Sequence, residues 1–317
     1  MTNIEWTEQT WNATTGCDRI SPGCDHCYAL TMAKRLKGMG QAKYQTDGNP
    51  KTSGPGFGFA THSDAIREPL RWKKPRRVFV NSMSDVFHDA NPTANLHLIF
   101  GVMAATPQHT YQILTKRHGR MRSLLNDPQF AHMTRHRAEQ AFGRSATASW
   151  TWPLPNVHLG VSVEDQKWAN IRIPALAQTP AAVRFLSCEP LLGPVRLPLT
   201  EPLDACTCGG YGPPYDMHEP SCGYEPGAAY NIDWVIIGGE SGPGARPFNP
   251  QWAADLIEDA RSAGAAPFVK QLGSVWARDW TVNGKTVAAH GDTKGGNPDY
   301  WPTHLRVREY PKAAASD

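Results

Sequence analysis

Cys17, Cys24 and Cys27 form a Cys-x6-Cys-x2-Cys run near the start of a 317-residue chain. Thiolates at such spacing are metal or redox ligands. Three of them leave one iron of a [4Fe–4S] cube without a protein ligand, open to a substrate or cofactor. The same three would also serve a structural zinc, closed by His26 or by a distant residue. Pro22 and Gly23 make the turn that returns Cys17 toward the other two.

The elements around the run must place those sulfurs. A helix is predicted from about Asp25 to Leu36, with an apolar stripe of Tyr28, Met32 and Leu36 at i, i+4, i+8. Lys34, Arg35 and Lys37 gather at its C-terminal end, where cations suit the dipole, and Gly38-Met39-Gly40 stops it. Cys24 and Cys27 then lie at the helix N-terminus, where free amides favour thiolate and sulfide charge.

Composition narrows the class. Hydrophobic residues make up 40% and charged residues 19%, as in a soluble globular protein. No apolar run reaches the roughly 18–20 residues of a membrane span. The N-terminal residues carry neither a basic region nor an apolar stretch, so no signal peptide and a cytoplasmic location are expected. Seven cysteines in such a chain read as metal or redox ligands, not as a disulfide framework. A net charge of +3 makes no global case for nucleic acid, and the basic stretches 71–77 and 117–122 read first as solvated faces.

Strand patterns fall at Val78–Met83, Tyr111–Thr115, Val157–Val163, Val183–Ser187, Trp234–Ile237 and Pro267–Gln271. Each is apolar enough to be buried on both faces. Helical patterns near 93–105, 117–143, 165–177 and 250–263 alternate with them. The expectation is one α/β domain over 1–317: a full or partial parallel (β/α) barrel of six to seven strands, with a cysteine-bearing insertion at 200–230. A G-x-G-x-x-G after the first strand, which would signal a dinucleotide-binding sheet, is absent.

Polar clusters end nearly every predicted strand: Ser84-Asp85, Thr115-Lys116-Arg117, Ser162-Val163-Glu164-Asp165, Cys188-Glu189, Gly238-Gly239-Glu240 and Lys270-Gln271. One such cluster is most often a helix cap. Six in succession at one barrel mouth predict a shared active site, because catalytic groups collect at the C-terminal ends of barrel strands.

These segments together with the three-cysteine loop resemble the phage-borne three-cysteine-motif proteins. That family is similar to radical S-adenosylmethionine (SAM) enzymes and, distantly, to spore photoproduct lyase. The likeness spans roughly residues 5–310. It departs from the usual Cys-x3-Cys-x2-Cys spacing, and His26 stands where an aromatic residue is common. The resemblance implies that Cys17, Cys24 and Cys27 hold a [4Fe–4S] cluster and that SAM is bound by His26, Ser84, Asp85, Lys116, Ser162, Glu164, Gly238 and Gly239. Glu189, Glu240 and Lys270 would face the substrate, and Cys188 would be either a hydrogen-atom donor or a core residue. A one-electron donor such as a flavodoxin or ferredoxin, a nucleic-acid or nucleotide substrate and a partner protein encoded nearby are further implied, with no membrane.

Cys206, Cys208, His218 and Cys222 make a second group in a Gly/Pro/Tyr-rich segment. Three sulfurs and an imidazole are a closed tetrahedral set, so a structural zinc is expected there. A second iron–sulfur cluster, or free cysteines in a loop, are the alternatives. The rival to a radical SAM enzyme is a non-catalytic, zinc-bearing, nucleic-acid-binding or accessory protein.

Overall fold

Runs of branched and aromatic residues long enough for one strand each, separated by helical segments, build a parallel sheet in the computed structural model, which describes residues 4–197 and 230–312. Its strands are β1 (Gln9–Trp11), β2 (Arg77–Val80), β3 (Thr110–Thr115), β4 (Val157–Ser162), β5 (Val183–Cys188), β6 (Trp234–Gly238) and β7 (Ala266–Gln271). They lie side by side in chain order, all neighbours parallel. The helices longer than one turn are α1 (Tyr28–Gly38), α2 (Thr93–Ala105), α3 (His118–Leu125), α4 (Pro128–Phe142), α5 (Gln166–Ala177), α6 (Pro250–Ser262) and α7 (Ser274–Asp279).

The sheet is curled into a half-barrel, open between its first and last strands. In a flat sheet β2 and β6 would be about 19 Å apart, four strand spacings. Yet the Trp6 ring lies 4.7 Å from Phe79 on β2 and 5.9 Å from Trp234 on β6. Phe185, Ile236 and Phe268 complete this aromatic plug on the concave face. The convex face carries the main core, with Val80, Ile113, Val161, Leu186 and Ile237 packed against the helices. Gly160 on β4 leaves room for the plug: a Cβ there would stand 2.4 Å from the Phe185 ring.

The predicted strands are present, and the long pattern over 117–143 resolves into two helices. Asp127 caps the second, accepting from the Gln129 amide, and Pro128 takes the first turn, where no amide donor is needed. β2 ends at Val80, three residues before the predicted Met83, because Asn81 turns the chain with φ +58°. β1 was not marked by any apolar run. In α1 the expected stripe is reversed: Ala29 and Ala33 are buried, while Tyr28 and Met32 are exposed. Small residues let α1 press on Phe57, Tyr44 and Met83. Among the described residues no helix is long and apolar enough to cross a membrane.

Gly160→Ala should lower the unfolding free energy by about 1–3 kcal/mol, the usual cost of overpacking a filled core. A denaturation midpoint equal to that of the native chain would mean that Phe185 has space to yield.

Candidate active site

The C-terminal ends of the strands surround a cavity of about 320 Å³, within the range of small-molecule sites. Cys17, Cys24 and Cys27 all line it. Cys27 is the N-cap residue of α1, and Cys24 ends the short 3-10 turn Pro22–Cys24. Gly16 fixes Cys17: its φ is +85°, its amide donates to the Met83 carbonyl at 2.9 Å, and a Cβ would lie 2.1 Å from the Gly58 oxygen.

The thiols feel opposing influences. Burial, then Asp85, pushes Cys17 up to about 12, while Arg117 pulls it down through charge and a hydrogen bond. Burial also raises Cys27, against the α1 amides of Ala29 and Leu30 and the charge of Lys116. Desolvation thus disfavours the thiolate form of Cys17 and Cys27. The amides and cations already aimed at them favour thiolate once a metal centre supplies further positive charge.

Two buried carboxylates seat the cysteine loop on the barrel. Glu164, fully buried after β4, takes the Ser21 hydroxyl on Oε1 at 2.5 Å and Arg172 Nη1 on Oε2 at 2.7 Å. Arg172, from α5, is itself fully buried, donates to the Ser162 carbonyl at 2.8 Å and stacks 3.9 Å from the Trp168 ring centroid. Lys116 Nζ lies 3.8 Å from Glu164 Oε1 and donates to Ser162 Oγ at 2.9 Å. Glu240, past β6, takes Arg246 through Nε at 2.9 Å and Nη2 at 2.6 Å. The same guanidinium donates to the Pro22 carbonyl at 3.0 Å, and His26 Nδ1 lies 3.1 Å from Glu240. Although burial disfavours its charge, these bonds hold the Glu240 carboxyl below the usual carboxylate range.

Asp85 is similarly committed. Its oxygens accept from Thr115 Oγ1 at 2.8 and 2.9 Å, from the Lys116 amide at 3.0 Å and from the Phe87 amide at 3.0 Å. Asp85 thus shapes the turn that carries Lys116. Ser84 Oγ bonds the Thr14 carbonyl at 3.1 Å. Glu189 and Lys270, which also line the cavity, form an ion pair, both side chains under one-fifth exposed.

The structure brings most of the predicted residues to this cavity: the three cysteines with His26, Ser84, Asp85, Lys116, Ser162, Glu189, Gly239, Glu240 and Lys270 all line it. Three do not. Glu164 stands behind the wall with its oxygens occupied by Ser21, Arg172 and Lys116. Gly238 stops one residue short of Gly239. Cys188 is fully buried on the convex face with Leu186, because strand alternation sends its neighbour Ser187 to the cavity; a hydrogen-donor role is thereby corrected to a core role. Cys206, Cys208, His218 and Cys222 lie outside the described residues.

Sequence reasoning missed Ser21, Arg172 and Arg246. Arg172 had a signal, since it falls on the buried stripe of α5 with Ala169, Ile173 and Leu176. Arg246 lies in a Gly/Pro-rich segment without periodicity. Among the described residues no group of three His, Cys, Asp or Glu side chains could hold a metal ion.

Residues 1–302 match the model of a family described as "Protein of unknown function (DUF5131)". No curated protein and no solved structure matches the chain.

Glu164→Ala should cost about 3–5 kcal/mol of stability, since it strands the Arg172 charge in the interior. Urea unfolding measures it. A loss below about 1 kcal/mol, on the scale of an exposed pair, would show that water reaches Arg172 and that the pair is not what seats the loop.

Proposed function

This chain belongs to the DUF5131 family, whose description assigns no activity, and we propose that its cavity is the active site of a radical SAM enzyme. The observation that carries the reading is the convergence of Cys17, Cys24 and Cys27 on one wall of a cavity ringed by strand ends. A [4Fe–4S] cube takes each of three thiolates on a different iron and leaves the fourth iron open. Cys17, Cys24 and Cys27 are the residues that would hold it. When bound, such a cluster supplies the single electron that cleaves SAM to methionine and a 5′-deoxyadenosyl radical, which takes a hydrogen atom from the substrate.

The remaining residues have roles of their own. Lys116, partly exposed to the cavity beside Ser162, offers its ammonium to the methionyl carboxylate. Asp85 fixes the Thr115–Lys116 turn and so aims that ammonium. His26, steered by Glu240, presents its ring at the rim. Gly239 lines the cavity and is a glycine because the Leu272 backbone packs against it: a Cβ there would meet the Leu272 carbonyl at 2.5 Å. The Glu189–Lys270 pair, also lining the cavity, binds the substrate through groups of both charges. The aromatic plug beneath excludes water from the floor. A nucleic-acid base or modified nucleotide is the substrate class that the family likeness favours.

Anaerobic reconstitution tests this directly. About four irons and four sulfides per chain are expected, with 5′-deoxyadenosine released from SAM under reduction. Cys17→Ala, Cys24→Ala and Cys27→Ala should each abolish that release. Stoichiometric zinc without iron, or a full cluster that never cleaves SAM, would overturn the assignment.

A further inference from the structure

Four carboxylates line the cavity, those of Asp18, Asp85, Glu189 and Glu240, and the protein's own donors use each of them. Asp85 is held by Thr115 and two amides, and Glu240 by Arg246 and His26. Glu189 pairs with Lys270. Asp18, on the cysteine loop, accepts from Thr52 Oγ1 at 2.5 Å, from Ser53 Oγ and from His88 Nε2 at 3.1 Å. The other ring nitrogen of His88 accepts from the Ala90 amide at 3.1 Å, which leaves the ring proton on Nε2 for Asp18.

The cations of the same cavity are not all matched. Lys270 is paired, and Lys116 has Ser162 and Glu164. Arg19 lines the cavity and is exposed, and its guanidinium has no hydrogen bond or ion pair among the described residues. Neighbouring Asp18 does not serve it, because Thr52, Ser53 and His88 already occupy that carboxylate. An exposed arginine is ordinarily just solvated. This one differs in how its backbone is held. Its amide donates to the Thr52 carbonyl at 3.0 Å, Thr52 is tied back to Asp18, and the Cys17 amide donates to the Phe57 carbonyl at 3.3 Å. Two residues of chain span at most about 7 Å, so the guanidinium starts from a fixed point beside Cys17 and opens on the cavity that the thiols line.

We propose that Arg19 determines substrate specificity by taking an oxyanion of the substrate, a phosphate ester or a carboxylate, at the cysteine-loop side of the cavity. A guanidinium presents a planar fork of donors that matches either group through two parallel bonds, and it stays charged at any working pH. The apolar lining, with Trp6, Phe57, Phe79 and Leu114, takes the uncharged body of the same molecule. The substrate class is therefore an anionic compound with an apolar or aromatic body, and an uncharged analogue forfeits the pair with Arg19. What the bound substrate undergoes rests on the radical SAM reading above. The oxyanion site itself rests on the charge balance of the cavity.

The test titrates the full, reconstituted protein by calorimetry with phenyl phosphate, benzoate and benzyl alcohol, which share a phenyl ring and differ in charge. One of the two anions should bind about tenfold or more tightly than the alcohol, the usual worth of a charged hydrogen-bonded pair. The tighter anion tells a phosphate ester from a carboxylate. Arg19→Gln should remove that preference while iron content, SAM affinity and affinity for the alcohol stay as they are, which separates the subsite from folding and from cofactor binding. Arg19→Lys should restore part of it, since a point charge remains without the fork. Anion affinity unchanged in Arg19→Gln, or anions bound no better than the alcohol by the native protein, would overturn the proposal. So would an equal loss of SAM affinity in Arg19→Gln, because the guanidinium would then belong to the methionyl carboxylate. A protein that takes up no cluster yet keeps the Arg19-dependent preference for anions would overturn the radical SAM reading and leave the oxyanion site standing.

Discussion

The buried ion pair between Glu164 and Arg172 is the constraint on which the candidate site depends. Both side chains are withdrawn from water, and a pair so placed is held by geometry more than by net energy. Glu164 spends one oxygen on Arg172 and the other on Ser21, so the acid that neutralises the helix cation also seats the cysteine loop. Gly23 shows how close the seat is: a Cβ there would lie 2.4 Å from Glu164 Cγ. The Cys-x6-Cys gap is therefore more than slack chain. Its Ser21, Pro22 and Gly23 meet the barrel, and Asp18 pairs with His88.

A second acid does the same at the other side of the loop. Glu240 orients Arg246, which reaches the Pro22 carbonyl, and holds His26. Asp85 fixes the turn before Lys116. Three carboxylates at strand ends are thus used to position backbone and cations, while Lys116 and Arg19, the latter without an ion-pair partner among the described residues, also line the cavity. This division explains how one barrel mouth tolerates so many carboxylates: those deepest in the protein are each satisfied by several donors.

Much of this was legible in the sequence, for identifiable reasons. Strands buried on both faces write themselves as apolar runs, so Val157–Ser162 and Val183–Cys188 were readable within a residue or so. The three residues of β1 were too short and too polar to show. Polar clusters at strand ends pointed to the cavity, but the sequence held no sign of which carboxylates would be consumed internally, since that depends on partners far along the chain such as Ser21 for Glu164. Alternation along β5 already separates Ser187 from Cys188. The stripe on α1 was misread because apolar spacing marks a face without saying what covers it, and here Ala29 and Ala33, being small, win the close contact.

The central claim is that three thiols seated by these clamps hold a cluster with one iron open to SAM. Electron paramagnetic resonance of the anaerobically reconstituted, reduced protein, recorded with and without SAM, addresses it most directly. The account predicts a [4Fe–4S]⁺ signal whose g values shift when SAM is added, because the ligand field at one iron changes. A cluster signal that SAM leaves unmoved, or no cluster signal at all, would contradict it.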